Sequence, residues 1–163
     1  MSLNTLSVQE KDLFKVVAAA KQIIEFLNTQ PCPILGGWKQ SVNLNSANTD
    51  NEIRIKSPWP NWRLERVIVK NKGTTASITT ATAGLFTATA GGGTALASTQ
   101  SLSMLTSNAV NTAGGLMDLT LSNSNQWQSR TSLYFRVGTA QGAAATADVY
   151  VFILPLPDVP PQQ

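Results

Sequence analysis

Residues 131–154 carry two strand patterns of different character, and they constrain the fold more than any other part of the sequence. The first pattern alternates apolar and polar side chains: Leu133, Tyr134, Phe135, Arg136 and Val137. Such a period of two predicts a β-strand with one buried face. In residues 148–153, Tyr150 and Phe152 make the second face apolar as well, which predicts a central strand or an outer face that contacts a partner. The small, uncharged residues 138–146 between the patterns include glycines, so we expect the two strands to form a β-hairpin with a long loop.

The composition favours one ordered, β-rich domain. A chain of 163 residues is long enough to bury a substantial core. Charged residues make up 13% of it, about half of the usual ~25%, which argues against disorder driven by charge repulsion. The net charge of +3 comes from Lys and Arg residues that are scattered among acids, so we expect a solvated surface and no specific nucleic-acid site.

The sequence lacks the residue types on which common catalytic and metal sites depend. It has no His and one Cys, Cys32, which excludes an intrachain disulfide, a metal cluster of His and Cys, and the Ser–His–Asp and Cys–His nucleophile systems. Asp50 and Glu52 lie where a loop meets a strand, a position more typical of solvated turn acids than of a carboxylate pair for sugar hydrolysis. We therefore expect no enzyme, no cofactor and no metal site.

Residues 1–30 are expected to form a short arm followed by a helix. Ser7 and Glu10 fit a capping box, and Pro31 stops the helix. Apolar residues recur on one face at helical spacing: Leu13, Val17, Ile24 and Leu27. Because such a stripe does not stay exposed, the helix is expected to pack on its own β-domain, on a neighbouring subunit or other protein, or on a membrane surface. Mixed charges on the polar face disfavour the membrane, and the four apolar residues are the candidate partner-binding residues.

The remainder of the chain predicts a linker, a β-domain and a tail. Residues 31–37 combine prolines with glycines and are expected to form the linker. Residues 38–154 hold about eight or nine short strand patterns, with a bulge expected near Arg66 and a turn at residues 83–84. This pattern predicts an antiparallel β-sandwich or jelly roll with one N-terminal α-helix. Residues 155–163 hold four prolines and are expected to form an extended tail.

Aromatic side chains supply the remaining candidates for a binding site. The four tryptophans are Trp38, Trp59, Trp62 and Trp127. They suit a platform that stacks sugars or single-stranded nucleic acid, or else packing in a core or an interface, which is the commoner role. Trp59, Trp62, Tyr150 and Phe152 are accordingly the candidate interface aromatics.

Segments within residues 64–71, 83–95 and 131–151 occur in a distinctive order: LERVIVKN, GLFTA, GGGTA, TSLYFRV and TAQGAAATADVYV. They resemble a group of tailed-bacteriophage virion proteins, over a region that leaves out the N-terminal helix. The resemblance implies a β-sandwich body and a structural component of a phage particle. The most specific role that it implies is a capsid decoration (cement) protein that binds the major capsid protein. It brings no catalytic residues.

Strand edges lined by Thr and Ala invite pairing between copies, which favours a homo-oligomer. A trimer is favoured because it would cover these edges and present three helices or arms to a capsid. No apolar run reaches the ~18 residues of a membrane span, and the N-terminus lacks the pattern of a signal peptide. We therefore expect no membrane partner, and a location in the virion and, during assembly, in the host cytoplasm.

The alternative function is a tail, fibre or baseplate component that acts as a glycan-binding module.

Overall fold

The computed structural model of the protein describes residues 16–18, 32–72, 77–105, 115–123 and 126–156. The chain divides into two compact units, Met1–Cys32 and Pro33–Gln163. In the first unit, residues 16–18 are helical, and the rest of the predicted helix lies outside the described residues. The described strands all belong to the second unit.

The second unit is built from short strands that pair antiparallel throughout. Their bounds are β1 Ile34–Asn43, β2 Thr49–Arg54, β3 Asn61–Asn71, β4 Thr82–Phe86, β5 Ala95–Ser101, β6 Leu116–Asp118, β7 Trp127–Gln128, β8 Ser132–Thr139 and β9 Thr146–Leu156. A 3-10 turn, Thr89–Gly91, lies between β4 and β5. Sheet A has the order β1-β9-β3-β6, with β7 also paired to β3, and sheet B has the order β2-β8-β4-β5. The prediction of a mainly β protein with antiparallel sheets is confirmed.

Side chains from both sheets are buried in one hydrophobic cluster. Sheet A contributes Leu64, Val67, Val149, Val151 and Ile153, and sheet B contributes Leu85, Leu96, Leu133, Phe135 and Val137. Each fully buried side chain of this size stabilises the fold by about 1.5–3 kcal/mol relative to its exposed state. Trp62 belongs to the same cluster, and its indole N–H donates to the carbonyl oxygen of Arg130 at 3.0 Å. The alternation seen in the sequence of β8 therefore does mark the buried face.

The predicted β-hairpin of residues 131–154 is wrong. Both strands form, but β8 pairs with β2 and β4 in sheet B, whereas β9 pairs with β1 and β3 in sheet A. The intervening segment passes from one sheet to the other, and two backbone hydrogen bonds with Leu44 hold it. The Gln141 N–H donates to the Leu44 carbonyl oxygen at 2.9 Å, and the Leu44 N–H donates to the Ala145 carbonyl oxygen at 3.0 Å. Sequence periodicity identifies a strand and its buried face, but it carries no information on the strand that pairs with it. The second strand was expected to be central or to contact a partner through its outer face; β9 does lie between β1 and β3, and the contact with a partner stays a prediction.

Two glycine segments that suggest a turn or a linker are strand residues. Strand β1 begins at Ile34, inside the segment 31–37 that was predicted to be a linker. A Cβ at Gly37 would lie 2.6 Å from the carbonyl oxygen of Arg54, and one at Gly84 would lie 2.8 Å from that of Ala97. These glycines allow close approach of backbones, a role that sequence alone does not separate from turn formation.

The bulge predicted near Arg66 is confirmed, because the pairing of β3 with β9 shifts register between Leu64 and Arg66. The predicted tail is partly wrong, since β9 continues through Pro155 to Leu156. Pairing of β9 with β1 ends at Ile153, so the missing N–H of Pro155 faces no strand of sheet A on that side. The remaining tail residues, 157–163, lie outside the described residues.

Candidate functional site

Strand β9 presents large apolar side chains on the face of sheet A that points away from the core. Val149, Val151 and Ile153 are fully buried, whereas the intervening Tyr150 and Phe152 are half-buried. Residues opposite each other on paired strands share a face, so the strand register defines this surface. We call it the outer face of sheet A, and its apolar members are Leu35, Trp38, Ile68, Leu116, Trp127, Tyr150, Phe152 and Leu154.

Aromatic and aliphatic residues of β1, β9 and β3 lie next to one another on this face, in rows that end in a charged residue: Asp118 lies opposite Ile68, and Arg66 lies opposite Phe152. Tyr150 lies between Trp38 on β1 and Ile68 on β3. In the next row, Phe152 lies opposite Leu35. Trp38 is 48% exposed and Leu35 is 42% exposed. Large apolar side chains that are exposed singly are normal on a protein, but neighbouring rows of them indicate a contact surface.

The far side of the same face ends in a second exposed tryptophan. Arg63 on β3 lies opposite both Leu154 on β9 and Trp127 on β7. Trp127 is 53% exposed, and the Arg63 guanidinium lies 5.9 Å from the centre of its ring. On β6, Leu116 is 52% exposed. The outer face of sheet A thus carries an exposed tryptophan towards each of its two sides.

Charged groups on this face are largely engaged in ion pairs. The guanidinium of Arg66 donates to Asp118 through Nε at 2.6 Å and Nη2 at 2.5 Å. This hydrogen bonding holds the pKa of Asp118 below its ordinary value, while partial burial opposes the shift and charge attraction adds to it. Arg63 pairs with Glu65 at 2.8 Å. Exposed pairs of this kind contribute little to stability, so they leave the apolar rows as the dominant feature.

A buried acid at the end of β9 has a structural role. The Asp148 side chain is 7% exposed and lies 3.3 Å from the ammonium of Lys72. It also accepts the backbone N–H of Ser41 at 2.8 Å. Ser41 has a φ of 54° and sits where β1 shifts register against β9. Asp148 therefore stabilises a strained bulge, and its burial needs no catalytic explanation.

The outer face of sheet B is polar by comparison. Asp50 pairs with Arg136 at 3.0 Å and accepts the backbone N–H of Ala90 at 2.7 Å. Glu52 accepts a hydrogen bond from the Ser132 hydroxyl at 2.6 Å. These contacts occupy the two acids that the sequence offers as a carboxylate pair. The two sheets thus differ in the chemistry that they present to solvent.

The structure separates the candidate residues that the sequence groups together. Tyr150 and Phe152 lie on the outer face of sheet A, whereas Trp62 is 1% exposed and belongs to the core, although it also lines the cavity beside Trp59. Trp59 is 44% exposed and lines a different cavity of about 390 Å³. Val17 is helical and 57% exposed. The other candidate helix residues, Leu13, Ile24 and Leu27, lie outside the described residues.

Sequence reasoning missed most of the outer face of sheet A. Trp38 and Leu35 are brought beside β9 by the register of β1, and Trp127 and Leu116 are placed by short strands that pair with β3. The signal in the sequence was the second apolar face of β9, since apolar residues on that face predict further apolar residues on the strands paired with it. No local pattern identifies those neighbours.

Within the described ranges, no group of three or more His, Cys, Asp and Glu residues is placed to hold a metal ion. No helix in that part of the chain is long and apolar enough to cross a membrane. Comparison with protein-family models, with curated proteins and with solved structures found no match to this chain.

Proposed function

We propose that this chain is a non-enzymatic structural protein of a bacteriophage particle, and that it acts by binding other virion proteins. The most specific form of the proposal is a capsid decoration protein whose partner is the major capsid protein. The single observation that carries the binding role is the apolar outer face of sheet A. The assignment to a phage comes from the sequence resemblance alone.

The composition of this face supports a protein partner. Protein interfaces are enriched in aromatic residues and Arg and have an apolar centre with a polar rim. Here Tyr150 and Phe152 occupy the central strand, and the Arg66–Asp118 ion pair lies towards one side. The outer face of sheet B lacks this arrangement, so we propose that one face of the domain binds and the other meets solvent.

Two further parts of the proposal concern architecture. We propose that sheets A and B stack as a β-sandwich of jelly-roll type, which is supported by the single hydrophobic cluster that both sheets share. We also propose a homo-oligomer, with a trimer favoured, in which residues 1–30 provide a second contact with a neighbour. Sedimentation equilibrium of the purified chain tests the oligomer, and a monomer at all concentrations would contradict it.

The decisive experiment asks whether the protein is part of the particle and which face attaches it. Virions are purified from cells that express a tagged chain, and its occupancy is measured by quantitative mass spectrometry. We expect Phe152→Ser, on the outer face of sheet A, to lower occupancy strongly. Tyr134→Ser is the matched control, because Tyr134 is a half-buried aromatic residue on the outer face of sheet B. Absence of the unmodified protein from particles would refute the proposal, and equal loss in both variants would refute the role of the face.

The alternative is a glycan-binding module of a tail, fibre or baseplate. It is favoured by the cavity of about 390 Å³ beside Trp59, which Pro58, Pro60 and Arg130 also line. A glycan array probed with the intact chain and with Trp59→Ala tests it. Specific binding that is lost in the variant would favour this alternative over decoration of a capsid.

A further inference from the structure

A groove beside β1 combines an exposed tryptophan with an excess of positive charge. It has a volume of about 460 Å³ and is lined by Trp38, Lys39, Glu52, Arg54 and Lys56. This volume falls within the ~300–1,000 Å³ of typical small-molecule sites. We call it the Trp38 groove. It lies at the edge of sheet A, where the end of β2 approaches β1 and Lys56 N–H donates to the carbonyl oxygen of Gly36 at 2.7 Å.

Among the described residues, the positive charge of this groove is only partly neutralised. Glu52 is its one acid, and that carboxylate already accepts the Ser132 hydroxyl and lies 4.0 Å from Arg54. In the part of the chain that the structure describes, neither Lys39 nor Lys56 forms an ion pair with an acid. The described acids outside the groove are each engaged elsewhere, with a cation or a backbone N–H: Asp50, Glu65, Asp118 and Asp148. An anionic ligand is therefore a suitable counter-charge for the two lysines.

The aromatic ring restricts what that anion is attached to. The Lys56 ammonium lies 5.8 Å from the centre of the Trp38 ring, so a carboxylate held by Lys56 would sit beside the indole. Among the described residues that line the groove, Trp38 is the one apolar side chain, so its ring supplies a flat apolar surface. A ligand with one apolar face and an attached carboxylate matches both features.

From this geometry we propose that the Trp38 groove binds an acidic saccharide, a sugar of the uronic or sialic acid type. The apolar C–H face of the sugar ring stacks on Trp38, and its carboxylate pairs with Lys39 and Lys56. A nucleic acid fits less well, because one aromatic ring gives no platform for successive bases. The proposal does not require attachment to a capsid, although Trp38 belongs both to the groove and to the outer face of sheet A. It differs from the Trp59 alternative in place and in ligand charge.

Isothermal titration of the full chain with a trimer of galacturonic acid, and with the neutral galactose trimer as control, tests the proposal. We expect saturable binding of the acidic trimer at low salt, at least about tenfold tighter than of the neutral one, and weakening as salt is added. Trp38→Ala should weaken binding by about tenfold or more, and Lys39→Ala and Lys56→Ala should each remove part of the affinity and of the salt dependence.

The chain offers matched controls for both kinds of variant. Trp127 is also exposed and also lies near a cation, but its neighbour Arg63 is neutralised by Glu65, so Trp127→Ala should leave the affinity unchanged. Lys70→Ala removes an exposed lysine of β3 that does not line the groove, and it should leave the affinity unchanged. No saturable binding, or equal losses in groove and control variants, would overturn the proposal. So would tighter binding of an oligothymidylate or an oligoglutamate peptide that depends on the same groove residues.

Discussion

The side chain of Gln141 fixes the segment that carries the chain from sheet B to sheet A, and its removal gives the sharpest test of the fold. Its Oε1 atom accepts three consecutive backbone N–H groups, from Thr79 at 3.0 Å, Thr80 at 3.1 Å and Ala81 at 3.2 Å. Its Nε2 atom donates to the Thr79 hydroxyl at 3.2 Å. Gln141→Ala leaves these three donors without their acceptor.

The size of the effect follows from these bonds. A protein hydrogen bond contributes about 0.5–1.5 kcal/mol net, but three donors share one oxygen here, and water replaces part of the loss at exposed Thr79 and Thr80. The Thr80 hydroxyl also keeps its bond to the backbone carbonyl of Gln141 at 2.7 Å. We therefore expect Gln141→Ala to lower the free energy of unfolding by about 2 kcal/mol. For a chain of this length, that loss lowers the melting temperature by about 4–8 °C.

Urea denaturation and amide hydrogen exchange measure the two consequences, global and local. The amides of residues 79–81 should exchange faster in Gln141→Ala, whereas Gln40→Ala, which truncates an exposed glutamine of β1, should change neither quantity. In Gln141→Glu a carboxylate accepts the same N–H groups, which lowers its pKa in the folded state. Its stabilisation is therefore present above the unfolded value of about 4.3 and is lost as pH falls through the folded pKa. Unchanged amide exchange in Gln141→Ala would refute the role given to this side chain.

Three other perturbations test the core, the outer face of sheet A and its ion pair. Gly84→Ala should destabilise the chain by about 1–3 kcal/mol, measured by urea denaturation, because its Cβ would lie 2.8 Å from the Ala97 carbonyl oxygen; an unchanged midpoint would mean that β4 and β5 separate without cost. Trp127→Ala should lower particle occupancy at limiting concentration, because 53% of a side chain of about 250 Å² is exposed and available for burial in the contact. At 25 cal/mol per Å² this area is worth about 3 kcal/mol of binding free energy, or roughly a hundredfold in affinity. Co-sedimentation with particles measures this loss, and full binding would exclude Trp127 from the contact. In an NMR titration, the pKa of Asp118 should lie below its ordinary value and rise in Arg66→Ala. The Arg66–Asp118 pair adds a small, solvent-screened stabilisation above the ordinary carboxyl pKa, and this stabilisation is lost as the pH falls through the lowered pKa of Asp118.

Most strands could be predicted from the sequence because each carries its own record of burial. The two apolar faces of β9 predict a central strand or a partner contact, and β9 does lie between β1 and β3; the expected bulge of β3 near Arg66 is present. Both are properties of the side chains within one segment. Residues 34–37 and Gly84 were misread for a related reason, since a glycine reports that a Cβ is absent and not which neighbouring backbone requires its absence.

The candidate site was less predictable than the strands. Tyr150 and Phe152 could be selected because they lie on the strand whose pattern is unusual. Trp62 could not be distinguished from Trp59, although one is in the core and the other is exposed, because both flank the same proline and asparagine. The Trp38 groove could not be predicted at all, since Trp38 and Glu52 belong to strands of different sheets.

The sequence by itself determines that this chain is mainly β, which side chains of β8 are buried, and that β9 is apolar on both of its faces. Tertiary structure alone decides that β8 and β9 belong to different sheets, and that β1, β6 and β7 add Leu35, Trp38, Leu116 and Trp127 to the surface beside β9. The physical reason is that burial leaves a pattern within each strand, whereas pairing depends on backbone hydrogen bonds, which every residue except proline can form in the same way.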